Sequence, residues 1–270
     1  MREIPLSQRS TLRDLFSKVG ESLGTMHRVL KEGVVKRVSS TLKPDLQDEN
    51  KKTRLNYALN MLSGSSNEFK ETLDYIHVDE KWFYLTKVKT NFYVAPDEEI
   101  PVRSCRSKNF LIKVMFLAAV ARPWYDPHRK ADFNGKIGIW PFVVQEPGKR
   151  NSKNRQRGTL VTKPVEVTRE VYVRTITEKL IPAIKEKWPR GSKTMPIKIQ
   201  QDNARPHCSV DDEEVVRAGP ENGWNIKMIC QPPNSPDFNV LDLDFFNAIQ
   251  SLQHKESRTN IDDMAVGWRN

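Results

Sequence analysis

From residue 11 onward the apolar positions recur at helical spacing. Leu12, Leu15, Phe16 and Val19 form one short stripe, with Ser10 before it as a cap and Gly20 as a stop. Leu23, Met26 and Leu30 form a second stripe behind Ser22, ending at Gly33, and turn Thr25, Arg28 and Lys31 outward. Two short helices joined by a Gly-containing turn predict a helix-turn-helix whose second helix enters a major groove. The same spacing also fits a plain helical hairpin. Periodicity breaks from Ser39 to Gln47, which predicts a linker. A third helix is predicted over Asp48 to Leu62, burying Leu55, Ala58, Leu59 and Leu62 and leaving Lys51, Lys52 and Arg54 in solvent.

From Asp74 the period shortens toward two. Tyr75 to Asp79 is predicted as a strand, Trp82–Leu85 with Asn91–Val94 as a hairpin, and Phe110–Ala121 as a buried central strand. Another strand is predicted over Lys136–Val143, then a polar loop from Glu146 to Thr162. Thr168 caps a strong helix in which Val173, Ile176, Leu180 and Ile184 repeat as far as Trp188-Pro189. A strand from Ile197 stops at Asp202, a short helix capped by Ser209 follows, Asn225–Cys230 is a further strand, and a last helix runs from about Val240 to His254. Strands alternating with helices predict a mixed α/β fold around a central sheet.

Composition adds partners to this outline. A chain of 270 residues with 37% hydrophobic content, 6 Trp and 11 Phe folds rather than staying disordered. Its net charge of +10 points to a polyanion, nucleic acid before membrane. The charge is uneven: residues 103–163 carry fourteen Lys and Arg against three Asp and Glu, so the remainder outside residues 1–60 is acidic on balance. Lys149, Arg150, Lys153, Arg155 and Arg157 concentrate in the predicted polar loop, where a solvated role and a phosphate-contacting role fit equally well, and Lys36-Arg37 flank the second helix. Cys105, Cys208 and Cys230 are odd in number and lack any C-x-x-C, so neither a disulfide framework nor a zinc site is indicated. The longest apolar run, Phe110–Ala121, is too short to span a bilayer, and no signal peptide follows Met1; an intracellular soluble protein is expected.

Three acids at element ends then become the candidate chemistry: Asp79, Asp202 and Asp242. Each alone has a plain structural role, as a strand end, an Asx turn beside Asn203, or a helix cap. Together, close in space, they repel one another unless a cation intervenes, and the hard oxygen donors suit Mg²⁺ or Mn²⁺. Two such ions about 4 Å apart support phosphodiester cleavage or strand transfer. His77, two residues from Asp79, fits a core or supporting role around the acids, as do Asn203 and His207.

The blocks Val78-Asp79-Glu80-Lys81-Trp82-Phe83, Gln201-Asp202-Asn203-Ala204-Arg205-Pro206-His207 and Pro233-Asn234-Ser235-Pro236-Asp237-Phe238-Asn239-Val240-Leu241-Asp242 resemble the three signature blocks of mariner-like transposases. The 39 residues between Asp202 and Asp242 resemble the three-aspartate variant typical of plant elements. Further similar blocks, including Leu42-Lys43-Pro44 with Arg54-Leu55 and Gly138-Ile139-Trp140-Pro141-Phe142, spread the resemblance over most of the chain.

The resemblance implies a ribonuclease-H-like catalytic domain over residues 71–270 with Asp79, Asp202 and Asp242 holding the metals. It implies a helix-turn-helix over 1–38, with a linker and helix over 39–70. Cut-and-paste transposition at TA sites on double-stranded DNA with terminal inverted repeats, at least a dimer, and a nuclear location follow from the same likeness. Ser22, Thr25, Arg28, Lys31, Lys36 and Arg37 would read DNA, and Arg103, Arg106 and Lys108 would clamp DNA or a partner subunit. Against the family pattern the chain starts at the second of two helix-turn-helix units and stops before a C-terminal helical portion, giving the expectation of a chain shortened at both ends. The alternative is a transposase remnant that binds DNA without cutting it.

Overall fold

The computed structural model describes residues 4, 11–37, 46–64, 68–84, 113–151, 155–189, 195–253 and 261. The chain divides into two compact units, Met1–Asp45 and Leu46–Asn270.

In the smaller unit, α1 (Leu12–Val19) and α2 (Leu23–Lys31) are the predicted pair of short helices, joined through Gly20 at φ +77°. Ser10 lies outside the described residues; Thr11 Oγ1 accepts the Asp14 N–H at 3.1 Å at the start of α1. Ser22 caps α2 by accepting the Thr25 N–H. Leu15 and Met26 are buried, whereas Val19 and Leu23, expected on the apolar face, are exposed.

The larger unit is organised by a five-stranded sheet. Its strands are β1 (Tyr75–Tyr84), β2 (Lys113–Ala121), β5 (Lys136–Pro141), β8 (Ile197–Gln201) and β9 (Ile226–Cys230), in the order β5-β2-β1-β8-β9. The first three are antiparallel neighbours, and β1, β8 and β9 run parallel. Two small hairpins, β3 (Trp124–Asp126) with β4 (Ala131–Phe133) and β6 (Val143–Pro147) with β7 (Leu160–Pro164), stand beside it.

Pleating sorts the residues to two faces. Ile76, Val78, Leu117, Ala119, Ile197 and Ile199 enter one core, covered by α4 (Arg169–Thr175), a π-helical turn (Ile176–Leu180) and α5 (Ile181–Lys187) through Tyr172, Ile176, Leu180 and Ile184. The opposite face, with Phe83, Val114, Phe116 and Ala118, is covered by Leu241 and Phe246. The long predicted helix is therefore present, capped by Thr168, with the π turn just ahead of Pro182. Proline has no N–H and crowds the preceding turn, and the wider turn accommodates both.

Several boundaries differ from expectation. Tyr75–Asp79 and Trp82 onward form one strand, because β1 pairs with β2 without interruption from Ile76↔Ala121 to Tyr84↔Lys113. The predicted partner strand Asn91–Val94 lies outside the described residues. The predicted strand over Lys136–Val143 splits at Phe142, which is buried. The polar segment Glu146–Thr162 is not merely a loop: both its ends join the β6–β7 hairpin. The helix α6 (Glu213–Ala218) is capped by Asp212, whose carboxylate accepts the Glu214 and Val215 N–H groups, and not by Ser209.

The third helix, α3 (Asp48–Asn60), is present but turned. Leu55 and Leu59 are exposed at 60% and 54%, while Arg54 and Tyr57 face inward. Polar partners on the sheet unit outweigh the apolar stripe, so the stripe does not predict the buried face.

One turn makes a testable demand. Gly135, at φ +74°, accepts the Ala121 N–H at 2.8 Å, and a Cβ there would strike the Ala121 carbonyl. Gly135→Ala is expected to destabilise the protein by about 2 kcal/mol, through the left-handed backbone and the collision together. Urea unfolding should show a lower midpoint at unchanged slope; an unmoved midpoint refutes the collision.

Candidate active site

Asp79 lies in the middle of β1 on the face shared with His77 and Phe83, and Ala118 stands opposite it on β2. A small neighbour there leaves room above the carboxylate. Asp202 follows the last residue of β8, and its Oδ1 accepts the Ala204 N–H at 2.8 Å, which folds the loop back. Asp242 sits in a second π-helical turn, Leu241–Phe245, anchored by fully buried Leu241. Asn239 binds this turn to β1: its Nδ2 donates to the Val78 carbonyl at 3.4 Å, its Oδ1 accepts the Leu241 N–H, and its carbonyl accepts the Asp242 N–H. Three elements distant in sequence thus bring the three predicted acids together.

Their electrostatics register the proximity. Burial first, then the charges of Asp242, Glu80 and Asp202, push the Asp79 carboxyl up to about 8, against the pull of the Glu80 N–H. Asp242 is also raised, by burial and then by Asp202, while a hydrogen bond with Asp79 and the nearby Lys81 oppose the shift. A hydrogen bond joins the two carboxyls, Asp79 and Asp242. Asp202 behaves differently: its hydrogen bond with His207 outweighs burial and holds it below the usual carboxylate range.

His207 is the organiser of that difference. Its Nδ1 lies 2.8 Å from Asp202 Oδ1 and its Nε2 2.9 Å from Glu80 Oε2, with the ring stacked on Tyr172 at 4.4 Å. Burial alone would lower its pKa, but the bonds to Asp202 and Glu80 overcome this and raise it to about 10. It is an imidazolium bridging two carboxylates. A cleft of about 530 Å³ opens beside this group, lined by Asp79, Glu80, Asp202 and His207 on its polar side and by Trp82 and Met115 on its apolar side. Asp242 borders the cluster but not that cleft.

Among the described residues no three His, Cys, Asp or Glu side chains are drawn tightly enough together to hold an ion as they stand. The donor chemistry nevertheless fits a hard divalent cation. Two carboxyls are raised by burial and by neighbouring acids, Asp79 chiefly by Asp242 and Asp242 by Asp202, and Glu80 Oε1 is buried beside them with no hydrogen-bond partner among the described residues.

The remaining predicted residues are distributed more widely. His77 is kept neutral by burial, which lowers it to about 4, and its Nδ1 meets Gln200 Nε2 at 3.4 Å. Asn203 donates to the Gln231 carbonyl at 2.7 Å, tying the Asp202 loop to the end of β9. In the smaller unit Ser22 and Thr25 are engaged in the helix cap, Arg28 pairs loosely with Glu32 at 3.9 Å, and Lys31, Lys36 and Arg37 are exposed. Lys149, Arg150 and Arg157 are exposed on the segment between β6 and β7, whereas Arg155 folds back against Gly148 with its Nε buried. Arg103, Arg106, Lys108 and Lys153 lie outside the described residues.

Periodicity and motif together do not reveal Glu80, Tyr172, Gln200 and Gln201 as site residues. Tyr172 donates to Gln201 Oε1 at 3.1 Å, and Gln201 Nε2 donates to the Cys208 carbonyl at 2.6 Å, bracing both ends of the Asp202 loop. A signal was available: after Ile197 and Ile199, alternation calls for an apolar residue at 201, and a buried Gln stands there.

No protein-family model matches the chain, and no curated protein matches it. Solved structures do. A pre-cleavage Mos1 transpososome aligns at TM-score 0.59 with 16% identity, over 94% of this chain and 64% of that one. The Mos1 mariner paired end complex with Mn aligns at 0.54 with 18% identity, over 90% and 61%. The Mos1 strand transfer complex aligns at 0.53 with 20% identity, over 90% and 60%. The chain spans about three fifths of the length of these transposase chains. At such identities the likeness is one of fold, and in fold, with its ribonuclease-H-like sheet, the chain is similar to the Mos1 mariner transposase.

Proposed function

We propose that the protein is a DNA transposase of the mariner type, cleaving phosphodiester bonds at the inverted-repeat ends of an element and transferring strands to TA target sites. The observation that carries this reading is the convergence of Asp79, Asp202 and Asp242, from β1, β8 and the turn before α7 (Phe246–Gln253), into one cluster of interacting carboxyls. Those three residues would hold Mg²⁺ or Mn²⁺, two ions in all, and the metal supplies activation of the attacking oxygen and stabilisation of the leaving one. The chain's own part is to gather negative oxygen donors, to keep Asp202 ionised through His207, and to present basic surface to the phosphate backbone. Assembly of at least two copies on the DNA ends and a nuclear site of action belong to the same proposal.

The direct test is Mg²⁺- or Mn²⁺-dependent nicking of duplex DNA carrying the element's own inverted repeats, with chelator as control. Metal-dependent nicks at the ends support the proposal. Retention of the ends without nicks selects the alternative, a protein that binds DNA and no longer cuts it.

Binding has its own test. The triple substitution of Lys149, Arg150 and Arg157 by Ala, and separately Arg28→Ala with Lys31→Ala, are expected to weaken retention of the ends. Each cation removed from a phosphate should flatten the slope of log K against log salt by about 1. An unchanged slope removes the substituted group from the DNA interface.

A further inference from the structure

The helix α3 contributes no fully buried residue, yet it is fastened to the loop that leads into Asp242 by an unusually dense set of polar contacts. The Arg54 guanidinium forks onto both Asp237 carboxylate oxygens at 2.9 Å, donates to the Asn234 carbonyl at 2.7 Å and to Ser235 Oγ at 2.9 Å, and lies 5.6 Å over the Phe238 ring. Asn234 is left-handed at φ +54°, so Arg54 grips the loop where its backbone reverses. Tyr57 donates to Gln200 Oε1 at 2.6 Å, and its ring lies 4.9 Å from Phe238. Gln200 in turn donates to the Phe238 carbonyl at 2.7 Å and to Gln231 Oε1 at 3.2 Å. One helix face therefore touches the end of β8, two residues before Asp202, and the loop that ends three residues before Asp242.

From there Asn239 continues the path to the Val78 carbonyl, next to Asp79, and to the Asp242 N–H. We propose that α3 is a positioning element of the site, with Arg54 and Tyr57 as positioning residues that set where Asp242 stands relative to Asp79 and Asp202. The inference rests on the assignment of those aspartates as metal ligands, and it concerns a helix that the chain's periodicity marks only as part of the connection ahead of the catalytic domain. A bidentate, planar guanidinium suits the task because it fixes direction as well as distance, which an ammonium does not.

The test compares the full chain with Arg54→Ala and Arg54→Lys, by amide hydrogen exchange over residues 231–242 and by Mn²⁺ affinity from the paramagnetic resonance of free Mn²⁺. Arg54→Ala is expected to speed exchange over 231–242 at least about tenfold, while β1 and β2 keep their protection. Mn²⁺ affinity should fall about ten- to a hundredfold, as when a residue supporting metal ligands is removed. Arg54→Lys should recover part of both.

Unchanged exchange over 231–242, or faster exchange with wild-type Mn²⁺ affinity, overturns the proposal. If Arg54→Ala unfolds the whole domain, the Lys variant decides: faster exchange confined to 231–242 upholds the inference, and uniform loss overturns it. Should the unaltered chain bind no Mn²⁺, the metal assignment fails, and the exchange pattern alone still decides whether α3 holds the loop.

Discussion

Replacing Asp79 by Asn is expected to lower metal-dependent DNA cleavage at least about a thousandfold while raising the unfolding temperature. The loss follows from the proposed role of Asp79 as a metal ligand, since such a metal would supply several kcal/mol of transition-state stabilisation. The gain follows from the folded state itself. Burial and the charges of Asp242, Glu80 and Asp202 raise the Asp79 carboxyl to about 8.

A carboxyl whose folded pKa lies above its unfolded one disfavours the fold increasingly as pH rises from about 4 through 8. Asn carries no charge to desolvate and keeps a donor for Asp242. At pH 8 the variant should therefore gain about 1–3 kcal/mol, a few degrees in a chain of this size. At pH 4 most of the gain should vanish, because Asp79 is then largely uncharged in the folded state and half-protonated in the unfolded one. Thermal melts at the two pH values and a nicking assay check both halves. A variant that cuts normally, or that melts lower at pH 8, refutes the account of the site.

The second large effect belongs to His207. His207→Ala is expected to destabilise the protein by about 3–5 kcal/mol at neutral pH, the range for breaking a buried ion pair by removing one partner. Glu80 and the loop of Asp202 lose their shared counter-charge, and Tyr172 loses the ring stacked on it. Glu80 Oε1, already without a partner among the described residues, would stand beside a second unpaired oxygen.

The pH dependence has a definite sign. His207 is raised from 6.5 to about 10, so its contribution is fully present below pH 6.5 and is lost as pH rises through 10. Wild-type stability should fall across that window, and His207→Ala should be flat there apart from the other titrating groups. The same substitution frees the Asp202 carboxyl to rise toward its ordinary range, because its hydrogen bond with His207 is the main cause of its depression. Chemical denaturation at pH 6, 8 and 10 distinguishes the cases: equal losses at all three values would show that His207 acts by packing alone.

Much of this molecule is legible in the chain. Apolar alternation marks β8 and most of β9, and the helical repeat from Val173 to Ile184 marks the main covering helix. These succeed because each depends on local periodicity, whereas the three signature blocks supply Asp79, Asp202 and Asp242 as candidates only. Failures cluster where a distant partner wins. The apolar stripe of α3 faces solvent because Arg54 and Tyr57 find Asp237 and Gln200 at separations of 183 and 143 positions. The continuity of β1 depends on a partner strand that begins beyond Tyr84, at Lys113, and so could not be read from β1 alone.

Residue order and type are enough to predict a basic α/β protein and to single out three acids as candidates for a divalent metal, although Asp79, expected at a strand end, stands in the middle of β1. How those acids differ from one another emerges only when the elements pack. Asp79 and Asp242 share a hydrogen bond and are raised by burial and by neighbouring carboxylates, while Asp202 is held below the usual carboxylate range by a buried His207 that also binds Glu80. A carboxylate's pKa depends on its distance from other charges and from water, and those distances are set by how β1, β8 and the turn before α7 pack, not by their order in the chain.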